Sequence, residues 1–433
     1  MKFSDLNLIP PILKAAAEAG YEEPSPIQQK AIPPVLAGRD LLGCAQTGTG
    51  KTAAFAMPIL QRLAAAPAPS GGRPIRALIL TPTRELALQI DESFAAYGRH
   101  MRLAHCVIFG GVNQNPQVAR LKKGVDILTA TPGRLNDLIG QGYIDLKNVE
   151  IFVLDEADRM LDMGFVHDVK RVLACLPGQK QTLLFSATID QSIQKNLGSL
   201  LNDPAVVEIA RNGETAQTVE QFMMPIANFK KPELLQALLE EKGSDRVIVF
   251  ARTKNRTEDC AEALCDAGFR AESIHSDKSQ GQRKRALDNF RRGRTSILVA
   301  TDVLARGIDV PDVDHVINFD LPDMPEDYVH RIGRTGRAGE KGYAISFVTR
   351  ETSRTLRDIE RLIGKDIPFM ELETYELDPT LLKQKKGGAR QGGSKSGGSK
   401  PYGKRSAGKS YGKPAGKGGY RKSDDRKDGK PAG

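Results

Sequence analysis

The chain has 433 residues, 40% of them hydrophobic, and carries 63 Lys and Arg against 53 Asp and Glu, a net charge of +10. That length exceeds one hydrophobic core and implies two domains with extras, while no run approaches the ~20 apolar residues of a membrane span. The charge is uneven: residues 383–433 hold 16 Lys/Arg against 3 Asp, so the rest holds 47 basic against 50 acidic residues, and a basic end on a near-neutral body points to a polyanion, most simply nucleic acid.

The start, Met1-Lys2-Phe3-Ser4-Asp5, lacks the basic-then-apolar pattern of a secretory leader. Cys44, Cys106, Cys175, Cys260 and Cys265 form no Cys-x-x-Cys pair, which fits buried free thiols in a reducing cytosol. The six histidines are scattered without metal-ligand spacing, so no zinc is expected. Residues 4–19 read as a helix, with Asp5 and Asn7 as candidate caps, Pro10 and Pro11 in the first turn and Gly20 at the stop. Next comes Gly20-Tyr21-Glu22-Glu23-Pro24-Ser25-Pro26-Ile27-Gln28. The Gln28 amide both donates and accepts, which suits the edge of an adenine ring, and Tyr21 offers a face to stack on. Taken alone, the stretch is also what a Pro-bounded turn before a helix looks like.

The apolar run Leu41-Leu42-Gly43-Cys44 leads into Ala45-Gln46-Thr47-Gly48-Thr49-Gly50-Lys51-Thr52, and the alanine-rich run 53–63 reads as a helix. Strand, glycine-rich turn and helix together aim backbone N–H groups and a helix N-terminus at one point, which suits phosphate. Lys51 supplies charge for the outer phosphates and the Thr52 hydroxyl can ligate Mg²⁺. Strand-like runs follow at 77–80, 105–109, 126–128, 151–154 and 182–185, spaced by helical lengths, which predicts a parallel sheet covered on both faces. Ligands bind at the carboxyl ends of such strands. The polar motifs sit there: Pro82-Thr83-Arg84-Glu85-Leu86-Ala87, Gly110-Gly111, Thr131-Pro132-Gly133-Arg134, Asp155-Glu156-Ala157-Asp158 and Ser186-Ala187-Thr188. Asp155 can hold Mg²⁺ and Glu156 can orient an attacking water.

Residues 211–218 have no apolar period and read as a linker. A second strand series follows at 222–226, 247–250, 271–274, 297–300, 315–319 and 344–348. Only the first series has a phosphate loop. In His330-Arg331-Ile332-Gly333-Arg334-Thr335-Gly336-Arg337 three arginines recur at every third residue, near one face of a helical turn. They offer the first domain's phosphates an arginine finger, or else form a surface basic patch. Residues 301–309 supply hydroxyl, carboxylate and guanidinium groups to the same cleft. From 383 on, Gly, Lys, Ser and Pro dominate and the composition predicts disorder. There Tyr402, Tyr411 and Tyr420 can stack on unpaired bases while lysines follow phosphates.

In this order the motifs resemble those of DEAD-box RNA helicases of superfamily 2, most closely the bacterial RhlE-type branch. The resemblance spans roughly residues 1–370 and includes Phe3 upstream of Gln28, Gln280-Gly281-Gln282-Arg283 and 301–309. It implies an α/β fold of two tandem RecA-like domains, each a mostly parallel sheet covered by helices, with a disordered basic tail. The implied organisation is a Q-motif region at 1–29, domain 1 at 30–210, a linker at 211–218, domain 2 at 219–370, a transition at 371–382 and the tail at 383–433. Carried over by motif, Tyr21 and Gln28 read adenine, and Ala45, Gln46, Thr47, Gly48, Thr49, Gly50, Lys51 and Thr52 hold ATP. Thr52 and Asp155 bind Mg²⁺, Glu156 serves water, Arg334 and Arg337 act as fingers, and Asp309 lies near the ribose. Thr83, Arg84, Gly111, Thr131, Arg134 and Thr301 line the RNA backbone, while Ser186 and Thr188 couple ATP state to strand separation. With the cysteine pattern and the lack of a membrane-length apolar run, the expectation is a cytoplasmic monomer without membrane partner, acting on single-stranded or short-duplex RNA, alone or in ribosomal or decay-machinery ribonucleoproteins. Two rivals remain: a superfamily 2 DNA translocase, and an ATP-gated RNA clamp or assembly scaffold with little unwinding.

Overall fold

The computed structural model describes residues 1–45, 48–65, 72–188, 191–209, 219–302, 313–336 and 342–377. The linker and tail readings therefore lie outside the described residues. The first sheet comprises β1 (Leu41–Cys44), β2 (Ala77–Leu80), β3 (His105–Ile108), β4 (Ile127–Ala130), β5 (Ile151–Leu154), β6 (Gln181–Ser186) and β7 (Ala205–Glu208). Their spatial order is β3-β4-β2-β5-β6-β1-β7. The second comprises β8 (Val219–Pro225), β9 (Val247–Phe250), β10 (Ala271–Ile274), β11 (Ile297–Ala300), β12 (His315–Asn318) and β13 (Gly342–Val348), ordered β10-β11-β9-β12-β13-β8. The strand pairs are parallel in both sheets. Two helix-covered parallel sheets are what the alternation of apolar runs and helical lengths predicts, and together they form the tandem RecA-like architecture that the resemblance implies.

Continuous apolar strands arise because both faces are covered. In β2, Ala77 and Ile79 join one core while Leu78 and Leu80 join the core on the other face. In β9, Val247 and Val249 face one way and Ile248 and Phe250 the other. Register aligns the carboxyl ends that carry the motifs: Leu80 pairs with both Ala130 and Leu154, and Cys44 with Ser186.

Two local expectations change. The helix expected over 4–19 is split into a 3₁₀ turn, Phe3–Leu6, and a helix, Pro10–Glu18. Asn7 stops the first in a left-handed conformation (φ 57°), and the two prolines can only start the second. Gly20 (φ 79°) ends the helix as expected, with the Tyr21 N–H donating to the Ala16 carbonyl at 3.0 Å. β7 is an addition. Its apolar run, Ala205-Val206-Val207, is shorter than a buried strand normally shows, because it sits on the sheet edge with Val206 exposed. All five cysteines are free thiols. Cys44, Cys106 and Cys260 are buried as expected, whereas Cys175 and Cys265 are exposed. Among the described residues no helix is long and apolar enough to cross a membrane.

Candidate active site

The chain leaves β1 through Ala45, whose N–H donates to the Ser186 carbonyl at 3.0 Å. It then turns through Gly48 (φ 87°) and Gly50 (φ 91°), a region open to glycine but costly for other residues. Gln46 and Thr47 lie outside the described residues. Lys51 opens the helix Lys51–Ala65, followed by half-buried Thr52. The Lys51 side chain is 7% exposed, and its ammonium has no hydrogen-bond partner among the described residues. Its nearest acid is Asp155 Oδ1, 4.0 Å away. A buried ammonium left in this state calls for an anionic ligand.

Gln28 is also bound to this loop. Its Oε1 accepts from the Ser25 N–H at 2.9 Å, and its Nε2 donates to the Gly50 carbonyl at 3.2 Å. Ser25 Oγ donates to the Thr49 carbonyl at 2.7 Å. A side chain at Gly50 would place its Cβ 2.4 Å from Gln28 Nε2. The amide expected to read a base thus engages the phosphate loop. Tyr21 is 40% exposed, tilted against Phe3 and Tyr97, with its hydroxyl 3.0 Å from that of Tyr97.

β5 delivers Asp155 and Glu156 to the same edge, 2% and 6% exposed. Glu156 adopts a left-handed backbone (φ 53°), an unfavourable conformation for a non-glycine residue that the surrounding structure holds. Arg159 Nη1 lies 3.4 Å from Glu156 Oε2, and its Nη2 donates to the Asp302 carbonyl of the second sheet at 3.3 Å. Burial pushes the Asp155 carboxyl up to about 6; the Lys51 charge opposes this, and Glu156 and Asp158 add to it. Asp158 differs. Burial pushes it upward too, but Lys51, His330 and hydrogen bonds outweigh burial and hold it below the ordinary range. Its Oδ2 accepts from the Ala187 and Thr188 N–H groups at 2.9 and 3.2 Å. Ser186 Oγ accepts from the Thr188 N–H at 3.3 Å. The Asp155–Asp158 turn is thereby tied to the Ser186–Thr188 turn through Asp158, a contact no local pattern announces.

The first arginine of the third-residue series is not available to the cleft. The helix Pro325–Ile332 ends before Arg334, and Arg331 is buried within the second half. Arg331 donates to both Asp302 carboxylate oxygens through Nε and Nη2 (2.5 and 2.6 Å), donates from Nη1 to Asn318 Oδ1 and the Asp320 carbonyl, and stacks on Phe250. Arg334 is 2% exposed, with Nε donating to the His330 carbonyl at 3.4 Å. Arg337 and Asp309 lie outside the described residues.

A second group lines a cavity of about 420 Å³ between the halves. Thr83, Arg84, Thr131 and Arg134 come from the first sheet, and Ser276 and Arg283 from the second. Thr83 Oγ1 caps its helix by accepting from the Leu86 N–H at 3.4 Å. Arg84 packs on Gly111 (φ 74°), where an added Cβ would lie 2.3 Å from Arg84 Nη2. Arg134 Nη2 donates to the Val112 carbonyl at 3.1 Å. Thr301 sits at the end of β11, beside β10 and outside the residues lining this cavity. The two sheets meet through Glu85 and Arg283, 2.6 Å apart and almost fully buried. Gln280 Nε2 donates to Glu85 Oε1 at 3.2 Å. Sequence motifs contained both partners, but nothing local paired them.

Two family models match: DEAD/DEAH box helicase over residues 25–196, and helicase conserved C-terminal domain over residues 230–339. The DEAD-box ATP-dependent RNA helicase CshA of Bacillus cereus (strain ATCC 10987 / NRS 248) is 42% identical over 384 residues, 89% of this chain and 72% of that protein. Its namesake in Bacillus subtilis (strain 168) is 42% identical over the same length, 89% of this chain and 76% of that protein. The structure of S. cerevisiae Dbp5 bound to RNA and ADP BeF3 is 33% identical with a TM-score of 0.76, covering 85% of this chain and 95% of that one. Fold, motif order and these likenesses define a helicase built on two RecA-like domains. The chain belongs to the DEAD-box ATP-dependent RNA helicase family. These relatives carry the CshA name rather than that of the RhlE-type branch expected from the sequence.

The raised Asp155 pKa has a measurable consequence. Its folded value of about 6 exceeds the ordinary 3.8, so ionising Asp155 opposes folding. The cost is absent at low pH, grows between the two values and is complete above the upper one, where it amounts to about 3 kcal/mol. Asp155→Asn is therefore expected to raise the unfolding temperature of the ligand-free chain near neutral pH, with the gain vanishing at about pH 4. Scanning calorimetry in chelator checks this, and a gain independent of pH contradicts it.

Proposed function

We propose that this chain uses ATP to open short RNA duplexes locally, or to remodel RNA–protein complexes, by closing its two halves on one nucleotide and one RNA strand. The observation that carries this reading is the Lys51 ammonium, buried and without a hydrogen-bond partner among the described residues, beside Asp155. The second sheet reaches the acidic turn beside it, where Arg159 lies against Glu156 and donates to the Asp302 carbonyl, and Glu85–Arg283 joins the sheets at the neighbouring groove. The likeness to Dbp5 bound to RNA and ADP BeF3 supports the same ligands here.

In this reading the loop from Ala45 to Thr52 cradles the phosphates with backbone N–H groups, and Lys51 neutralises the outer ones. Thr52 and Asp155 would hold Mg²⁺, whose charge offsets that of the phosphates; a buried carboxylate resisting ionisation fits a cation. Glu156, steadied by Arg159, orients the attacking water. Tyr21 packs near the base. Gln28 links base recognition to the loop through the Gly50 carbonyl. Arg334 and Arg337 stabilise the charge that develops on the transferred phosphoryl group, and Asp309 lies by the ribose. Thr83, Arg84, Gly111, Thr131, Arg134 and Thr301 hold RNA phosphates and riboses. Asp158 relays nucleotide state to Ser186 and Thr188 through the Ala187 and Thr188 N–H groups.

ATP and RNA each bridge the halves, so each favours closure and strengthens the other's binding. A strand bent on closure clashes with a paired partner, and hydrolysis releases the bridge. The protein acts in the cytoplasm as a monomer, on RNA alone or within ribonucleoproteins. Unwinding rates are expected to fall steeply with duplex length in a strand-displacement assay. Near-constant rates over many helical turns contradict local opening.

The rival clamp reading is separated by Glu156→Gln. Phosphate release with RNA is expected to drop by at least about a hundredfold while RNA binding with ATP persists. Equally negligible release in both proteins favours the clamp. The basic tail adds phosphate contacts. Deletion after Leu382 is expected to weaken RNA affinity and flatten its salt dependence, leaving ATP turnover without RNA unchanged. An unchanged salt slope in binding titrations removes that role.

A further inference from the structure

The second sheet carries a counterpart of the phosphate cradle. β8 holds in its sheet the place that β1 holds in the first, next to the strand after the central pair. The helix after β8, Lys231–Lys242, opens on Lys231 just as Lys51–Ala65 opens on Lys51. Both lysines are buried and face an aspartate beyond a central strand: Asp155 after β5, Asp320 after β12. The chemistry diverges from there. Lys231 Nζ donates to the Phe319 carbonyl at 2.6 Å and to Asp320 Oδ1 at 2.7 Å. Asp320 also receives two nitrogens of Arg256, at 2.8 and 2.9 Å, and the Arg252 N–H at 3.0 Å. The connecting segment, Ile226-Ala227-Asn228-Phe229-Lys230, has no glycine. An internal carboxylate thus fills the anion position, and this is no second triphosphate site.

A cavity of about 600 Å³ nevertheless remains above it. Phe229, Arg252, Arg256 and Arg350 line it, and its walls hold four basic residues (with Lys231) against two acidic ones, Asp320 and Glu351. Phe229 is 78% exposed, beside exposed Lys230. Arg350 is exposed, and its side chain forms no hydrogen bond or ion pair among the described residues. Lys231 and Arg256 are committed to Asp320, and Arg252 makes a solvent-exposed pair with Asp323 at 3.2 Å that a phosphate can replace. An open aromatic ring beside the unspent Arg350 is what unpaired bases and phosphates bind to, since every base has a stacking face. Position agrees. Ser276, which lines the groove between the halves, follows β10; Arg252 follows β9, two places along the same carboxyl edge. At roughly 4.8 Å per strand, a nucleic-acid strand leaving the groove along this edge meets Arg252 after about 10 Å and reaches Phe229, beyond β8, after about 24 Å.

We propose that this cavity is a subsite for single-stranded RNA extending beyond the groove, with Phe229 stacking a base and Arg252 and Arg350 holding phosphates. The proposal rests on the RNA-helicase reading above. The test uses the full chain with a non-hydrolysable ATP analogue and two sets of oligonucleotides. One fills the groove only, and the other is extended by about four nucleotides at either end. Unaltered protein is expected to bind one extended RNA about tenfold more tightly than the short one. Phe229→Ser and Arg350→Glu, both at exposed positions, are expected to lose most of that gain. Affinity for the short RNA, and the ATP turnover it stimulates, stay as before. Variants that keep the gain overturn the subsite, as does an unaltered protein that shows none. If the variants keep the gain but lose binding to a peptide of mixed Glu and Phe, the surface belongs to protein docking instead. Failure of unaltered protein to bind the short RNA at all counts against the helicase reading itself.

Discussion

The buried Lys51 ammonium is the constraint around which the rest is arranged. Its nearest carboxylate stands 4.0 Å off, and that carboxylate is itself pushed toward its neutral form by burial. Two like-placed charges that compensate each other incompletely are tolerable only where a ligand completes the balance. The glycine turn, the left-handed Glu156 and the Gln28 brace all hold backbone close to this point. Stability is sacrificed locally so that binding can restore it.

The second sheet shows the opposite solution from the same topology. Lys231 and Asp320 close to 2.7 Å, and Arg256 completes the cluster. That cluster is satisfied without a ligand, whereas the Lys51 ammonium of the first sheet has no hydrogen-bond partner among the described residues. Arg331 belongs to the same internal economy. It fixes Asp302 and the ends of β12 and thereby supports the segment bearing Arg334. Lobes of one architecture thus differ in whether the buried lysine that opens the equivalent helix meets its acid.

Among the described residues, charged and polar side chains join the two halves. Glu85 and Arg283 pair in near-complete burial beside the groove, and Arg159 joins the acidic turn to the Asp302 carbonyl. A buried pair of this kind is costly to leave half-made, so it discriminates sharply between joined and parted halves. Asp158 plays the corresponding part within the first half, joining two strand-end turns through the Ala187 and Thr188 N–H groups.

Much of this was legible in the amino-acid sequence. Short apolar runs at helical spacing reveal strands buried on both faces, and Gly48 and Gly50 mark the tight turn into the helix that opens on Lys51, because both depend on neighbours along the chain. The family followed from the order of such local signals. Tertiary structure alone decided the partners: Glu85 with Arg283, Asp158 with Ala187 and Thr188, Arg331 with Asp302, and the closed Lys231–Asp320 pair. It also decided that Arg331 faces inward and that 205–208 pairs as an edge strand. Periodicity records which face of an element is buried, whereas the choice of a charged partner depends on which distant segment the packing brings within reach.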